Sequence, residues 1–360
     1  MGHQHNDRQI VNFICRKCEQ ALNHRKLSQR IKLKINNLDF TGRVATKCLR
    51  VILINMPDYA IERLSIDNVD HVKDLYHSTY SKVVSAEFFK GKYNTKFYGT
   101  AWLGYIAFTD GRKPAAFYGV IPCHFKINNE IFLSAQSADT MTHPDHRKKG
   151  LFMDLAKMTY ALAKQEGVQF IFGFPNQNSY AGFVKLDWKF MQLPMQLFVM
   201  QGSRLPWAAL ILKTPILKKL YKLITEWNLL DQLEENVSEE NGIIRDNLFF
   251  QYKNQYTKTF IKKSGKIISW MKNDGVLKIG LLRFSDTESP KLVEKYLRQT
   301  AKKLGCRSII LMTGYNTRTY KILAATMSPK EGLPIGFYNL SDRKLDFSSV
   351  TFEYCDIDIF

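Results

Sequence analysis

The sequence predicts a mixed α/β fold, in which helices alternate with the strands of a mixed sheet. Three observations carry that expectation. Short runs have apolar residues at every second position, others have them at spacings of three and four, and the two kinds alternate along the chain between Gly, Pro and Asn clusters. With 360 residues, 45% of them hydrophobic and 24% charged, the chain is long enough for two domains with their own cores.

The elements follow in order from Tyr59. YAIERLS reads as a strand, and Val69, Val72, Leu75 and Tyr76 mark a helix, with a second short helix over Ser85 to Tyr93. Strands at Trp102 to Phe108, Ala115 to Phe125 and Ile131 to Met141 are separated by the turns DGRK and INNE, which makes a meander. Leu151, Leu155, Met158 and Leu162 place one face of a long helix after Gly150, and Gly167 supplies a left-handed cap. Val168, Phe170, Phe172 and Phe174 then line one face of a strand that Pro175 ends. NQNSYAGFVKLDW follows as a short helix, leading to a strand pair around Met195 to Met200.

Residues 204 to 241 form a basic, helical connector whose pattern fits either a bridge between domains or a helix lying on an anionic membrane. The remainder repeats the theme. Strands at Thr259 to Lys263, Ile267 to Met271 and Leu277 to Phe284 precede a helix opening with Ser289-Pro290, and SIILM and FEYCDIDIF supply further strands. The expected division is a basic extension over 1–55, a first domain over 56–203, the connector over 204–241 and a second domain over 242–360.

A net charge of +19 invites a nucleic-acid partner, but residues 1–55 alone hold 11 Lys/Arg against Asp7, Glu19 and Asp39. No recognition helix or basic, aromatic-interleaved strand stands out elsewhere, so no specific nucleic-acid contact is expected. Cys15 and Cys18 form a C-x-x-C without a second pair, so no metal site is expected. The opening MGHQHNDRQ lacks a secretory layout, and the scattered cysteines read as reduced thiols of a cytoplasmic protein. LPWAALILKTPIL is interrupted by Lys213 and Pro215 well short of a membrane span.

The stretch most informative about chemistry is TMTHPDHRKKGLF, Thr140 to Phe152. A helix N-terminus presents unpaired N–H groups and the positive end of the peptide dipoles, and so binds phosphate where the chain permits close approach. Gly150 permits that approach, and Arg147, Lys148 and Lys149 add charge where an anion would sit.

With the meander before it, the helix and apolar strand after it and Asn176 at the end of that strand, the segment resembles the acyl-CoA-binding core of the GNAT superfamily of N-acetyltransferases. Arg147 to Phe152 stand where that family has Q/R-x-x-G-x-G/A, and NQNSYAGFVKLDW is similar to its N-x-x-A/S-x-x-x-Y-x-x-x-G-F segment. The likeness covers roughly Tyr59 to Met200. It implies a GNAT-like acyl-CoA-binding fold, followed here by a second, degenerate GNAT-like domain. It implies that Arg147, Lys148, Lys149, Gly150, Leu151 and Phe152 hold the cofactor pyrophosphate. It further implies that Met141 and Thr142 offer backbone to the pantetheine arm, and that Asn176 and Asn178 contact pantetheine or the acceptor.

The chain departs from the family at two places. Phe152 stands where the loop ends in a small residue, and Phe183 stands where a tyrosine usually protonates the departing thiolate. Tyr180, three residues earlier, and water are the alternative proton donors. Asp139 is the nearest carboxylate for a general base, with His143 as the alternative. Asp356 and Asp358 would share one face of the last strand, where they could meet an amino group. The second half opens its long helix with RFSDTES, acidic and without glycine, so no second cofactor is expected. The resemblance therefore implies an acyl-CoA-dependent N-acyltransferase, with acetyl-CoA as cofactor and a small-molecule primary amine as acceptor, an amino sugar of surface polysaccharide synthesis among the candidates. The competing readings are aminoacyl or peptidyl transfer on a similar fold, a non-catalytic binding module, and a nucleic-acid binder.

Overall fold

The alternation in YAIERLS resolves into strand β1 (Ala60–Arg63), paired antiparallel with β2 (Gly104–Phe108). This computed structural model describes residues 59–225, 241–257 and 259–360, all within the compact unit Leu53–Phe360. The extension and the later part of the connector lie outside the described residues. Between the first two strands, α1 (Asp70–Tyr80) buries Val72 and Leu75, and α2 (Ala86–Tyr93) starts at Ser85, whose side chain accepts the Phe88 N–H. Strands β3 (Pro114–Ile127) and β4 (Glu130–Thr142) complete the meander. Helix α3 (Leu151–Gln165) crosses to β5 (Phe170–Gly173), which runs parallel to β4. Then come α4 (Gln177–Lys185), β6 (Lys189–Phe190) and β7 (Gln196–Gln201).

The second half runs through α5 (Trp207–Ile211), α6 (Pro215–Thr225), β8 (Gly242–Ile243), α7 (Asn247–Tyr256), β9 (Phe260–Ser264), β10 (Ile267–Asn273) and β11 (Leu277–Arg283). It ends with α8 (Pro290–Lys303), β12 (Ser308–Thr313), α9 (Arg318–Ala324), β13 (Lys330–Glu331) and β14 (Gly336–Asn339). Apart from the C-terminal strand, the expected elements within the described residues are present, with boundaries moved by a few residues.

The sheets do not divide the chain where the sequence does. The first has the order β1-β2-β3-β4-β5-β14-β6, with β8 also on β3, and the second has β9-β10-β11-β12-β7-β13. From β2 to β6 the neighbouring pairs are antiparallel, antiparallel, parallel, antiparallel, antiparallel, and from β9 to β13 the same series recurs. The second sheet thus repeats the pairing of the first, and the two halves have exchanged one strand each. The strand expected to close the first half, β7, instead lies between β12 and β13, because Phe198 and Met200 are buried with Ile279, Leu297 and Ile309 of the second half. Its place beside β5 is taken by β14, whose Phe337 stacks on Phe347 at 4.0 Å and packs near Phe170.

One buried apolar cluster accordingly runs across both sheets, from Phe89 and Phe172 to Trp270, Leu281 and Phe352. The C-terminal FEYCDIDIF, expected as a strand, forms a 3-10 turn over Tyr354–Asp356. The cause is the buried Asp356, whose carboxylate accepts the Glu353 N–H at 2.7 Å and both forks of Arg245 at 2.8 and 2.6 Å. Asp356 and Asp358 therefore serve separate partners. Asp358 reaches Lys92 of α2.

Candidate active site

The loop between β4 and α3 turns on Gly150, whose φ of 84° lies in the left-handed region that a side chain disfavours. Glycine also contributes no capping oxygen, so α3 starts without a side-chain cap, unlike α2, α4, α7, α8 and α9. The first-turn amides of Leu151 and Phe152 thus lie beside the exposed Arg147, Lys148 and Lys149. The loop is anchored from behind. Tyr59 Oη lies 2.7 Å from His146 Nδ1, and Lys149 Nζ sits 5.7 Å from the Tyr59 ring centre. Partial burial and the neighbouring Lys149 hold the His146 imidazole below its ordinary pKa. His143 accepts the Asp145 N–H in the turn over Pro144–His146 and so has a local structural role.

Across from the loop, β4 separates from β5. Their ladder stops at Gln136 and Phe172, while β4 continues along β3 to Thr142. From Ser137 to Thr142 one side of β4 is therefore not paired to β5. Met141 is buried in the core, so it can serve a ligand only through its backbone, whereas Thr142 is half-buried and its carbonyl accepts Arg147 Nε at 3.4 Å. A bulge sits within this stretch. Gly119 faces Ala138 but Phe117 faces Met141, so Asp139 and Thr140 both stand against Tyr118, and Asp139 takes a φ of 50°.

The bulge turns Asp139 into a buried charge cluster. Its carboxylate lies 2.7 Å from Lys92 Nζ and accepts the Tyr93 hydroxyl at 3.0 Å, and Lys92 also meets Asp358 at 3.0 Å. Lys92 is 1% exposed and Asp139 8%. Burial raises the Asp139 pKa, opposed by Lys92 and reinforced by Asp358. Burial lowers and the two carboxylates raise that of Lys92, with a net upward shift. Two carboxylates thus share one ammonium group. Tyr80 extends the cluster, its hydroxyl donating to the Thr140 carbonyl at 3.4 Å, and its pKa is pushed up to about 12 by burial and by Asp139.

Helix α4 begins at Asn176, whose side-chain oxygen accepts the Asn178 and Ser179 N–H groups at 2.9 and 3.2 Å. Asn176 is thus a helix cap, and its oxygen is already in use. Asn178 is exposed in the first turn. Tyr180 is 40% exposed, its ring 4.7 Å from Phe190, while Phe183 is 3% exposed and buried against Trp188, Phe152 and Tyr118. The two departures from the family pattern turn out to be one packing arrangement. Phe152 fits in the first turn of α3 because α4 has Gly182 opposite it, where a Cβ would lie 2.6 Å from the Phe152 ring, and the same ring meets Phe183 edge-on at 5.5 Å.

Lys92, Tyr93 and Asp358 could not be found by local spacing, since they meet Asp139 from α2 and from the far end of the chain. A second group was also missed. The Tyr118 hydroxyl lies 2.8 Å from Ser137 Oγ and 3.0 Å from Tyr160 Oη, which accepts Trp188 Nε1–H at 2.9 Å. This hydroxyl chain runs from the interior to Ser137 on the unpaired side of β4. Burial raises the pKa of both tyrosines, so both are protonated donors. Among the described residues the second half has no equivalent cradle. Helix α8 starts at Ser289, whose side chain already accepts the Leu292 N–H, with Asp286 and Glu288 in the preceding loop.

Comparison with known proteins agrees with this geometry. The family described as the acetyltransferase (GNAT) domain matches residues 60–191. No curated protein sequence matches the chain. Among solved structures, a putative acetyltransferase from Pyrococcus horikoshii is similar at 11% identity and a TM-score of 0.50, over 85% of this chain and 96% of that one. Saccharomyces cerevisiae N-myristoyltransferase, solved with bound myristoyl-CoA, is similar at 11% identity and a TM-score of 0.51, over 80% of this chain and 83% of that one. Both likenesses concern the fold, and both extend beyond residues 60–191 into the second half. Residues 60–191, which carry the cradle and the splayed β4, are the part of the chain that matches the GNAT acetyltransferase domain.

Proposed function

We propose that the protein is an acyl-CoA-dependent N-acyltransferase that transfers an acetyl group to the primary amine of a small molecule, amino sugars of surface polysaccharides being one class that fits. The observation that supports this most is the uncapped N-terminus of α3 under three cations, beside a β4 whose far side is unpaired. These residues suit a ligand with phosphates at one end and amides along its length. The loop from Arg147 to Phe152 would hold the pyrophosphate through backbone N–H groups and charge, and Met141 and Thr142 would offer backbone to the pantetheine arm. Asn178 lies at the same end, and Asn176 acts there mainly by fixing the start of α4.

The cofactor brings the activated acyl group, and the protein supplies position and proton transfer. Asp139 is the proposed proton acceptor for the attacking amine, held by Lys92 and Tyr93. Tyr180 is the proposed proton donor, with the Tyr118 and Ser137 hydroxyls as the second candidate because they reach the unpaired side of β4. The buried free thiols Cys123, Cys306 and Cys355 support a reducing compartment such as the cytoplasm. Among the described residues no helix is long and apolar enough to cross a membrane.

Calorimetric titration with acetyl-CoA tests the reading. Binding is expected, and Gly150→Glu should abolish it by placing a strained side chain and a negative charge at the phosphates. No binding to any acyl-CoA overturns the proposal. The buried Phe183 favours a second reading, a module that binds without transfer, and it gains if acetyl-CoA binds but no amine in a panel is acylated.

A further inference from the structure

From Trp188 to Thr225 the chain has six Lys/Arg and neither Asp nor Glu. This stretch contains β7 and the α5–α6 hairpin, and several apolar residues on and beside the hairpin are exposed. Leu205, Leu210 and Ile216 are 78%, 70% and 81% exposed, and Leu217 and Leu220 are about half exposed. On α6 the exposed Ile216, Leu217 and Leu220 lie at helical spacing, while Tyr221 is buried and donates to the Leu304 carbonyl, which fixes the helix on the second half. The hairpin is thus docked by one face and leaves the apolar one open.

Cations surround that open face. Lys213 and Lys219 are exposed on the hairpin, and Arg204 and Arg307 line an adjoining open concavity of about 470 Å³ with Val199 and Pro206. Lys302 and Lys303 close the end of α8, the helix on which Tyr221 rests. Asp274, next to the Gly275 that meets Ala209, is paired with Lys278 at 2.7 Å. Within residues 188–225, a helical apolar surface that has cations beside it and carries no carboxylate complements an anionic lipid surface, in which leucines enter the acyl boundary and Lys/Arg meet phosphates. We propose that the α5–α6 hairpin docks the protein peripherally on anionic bilayers. The neighbouring Arg204 and Arg307 then face lipid headgroup phosphates.

Co-sedimentation of the full chain with vesicles of phosphatidylcholine containing one quarter phosphatidylglycerol tests this. Binding is expected there and not to phosphatidylcholine alone, and it should weaken as salt rises. Leu205→Ser/Ile216→Ser/Leu220→Ser should weaken it about a hundredfold, and Lys213→Glu/Lys219→Glu about tenfold. All five side chains are exposed, so an unchanged circular dichroism melt is expected for both variants. Failure to bind anionic vesicles overturns the proposal. Binding that survives both variants also overturns it, because it would then come from elsewhere, such as the basic residues 1–55. A dimer that the triple variant converts to monomer, or RNA binding lost in the lysine variant, overturns it if vesicles are not bound.

Discussion

At Asp139 the backbone and the charge cluster act on the same side chain. A φ of 50° is unfavourable for a residue other than glycine, and the bulge makes it possible by placing two residues of β4 against one of β3. The result is a buried carboxylate whose pKa is raised by burial, with Lys92 opposing that shift. If Asp139 accepts the amine proton, the enzyme is active only above that raised pKa. The acid limb of the rate profile should therefore lie above the ordinary carboxylate range of about 4, with activity lost as pH falls through it. Asp139→Asn should remove the limb and lower kcat by roughly 10²–10⁴-fold. It should leave acetyl-CoA binding in place, because Lys92 keeps Asp358 as a partner and no buried charge is stranded. An unchanged profile in the variant would assign the proton to another group.

Between elements, the decisive contact is that of α3 with α4. Phe152 and Phe183 are each unusual when compared singly with the family pattern, and together with Gly182 they are complementary in volume. Gly182→Ala would gain about 1 kcal/mol of helix propensity, and overpacking against Phe152 should cost about 1–3 kcal/mol. A lower melting temperature and weaker acetyl-CoA binding are expected. Phe152→Ala in the same chain should restore binding, since it removes the clash and leaves a small residue at the end of the loop. If the double variant binds no better than Gly182→Ala, the two positions are not coupled. This level was partly legible in the sequence. Gly150, the cations and the helix periodicity are local patterns, and they locate the turn and the start of α3. The volume exchange between residues 152 and 182 and the ion pairs of Lys92 are contacts between distant segments, and periodicity holds no record of them.

For the whole molecule, the exchange of β7 and β14 means that neither half is complete alone. The sequence identifies β7 as a strand without saying which sheet receives it, and β14, a four-residue strand opening at Gly336, does not stand out in it. The apolar cluster that spans both sheets and the Lys92–Asp358 pair add further links between the halves. A fragment of residues 56–203 would lack β14 between β5 and β6 and would expose Phe170 and Phe172 along that edge. It should show no cooperative thermal transition and should aggregate, whereas residues 56–360 should melt in a single transition. Adding the 204–360 fragment during refolding should recover acetyl-CoA binding, because the strand that each sheet lacks is carried by the other chain. If 56–203 melts cooperatively alone, β7 has folded back beside β5, and the halves are autonomous repeats for which the exchange is an embellishment rather than a requirement.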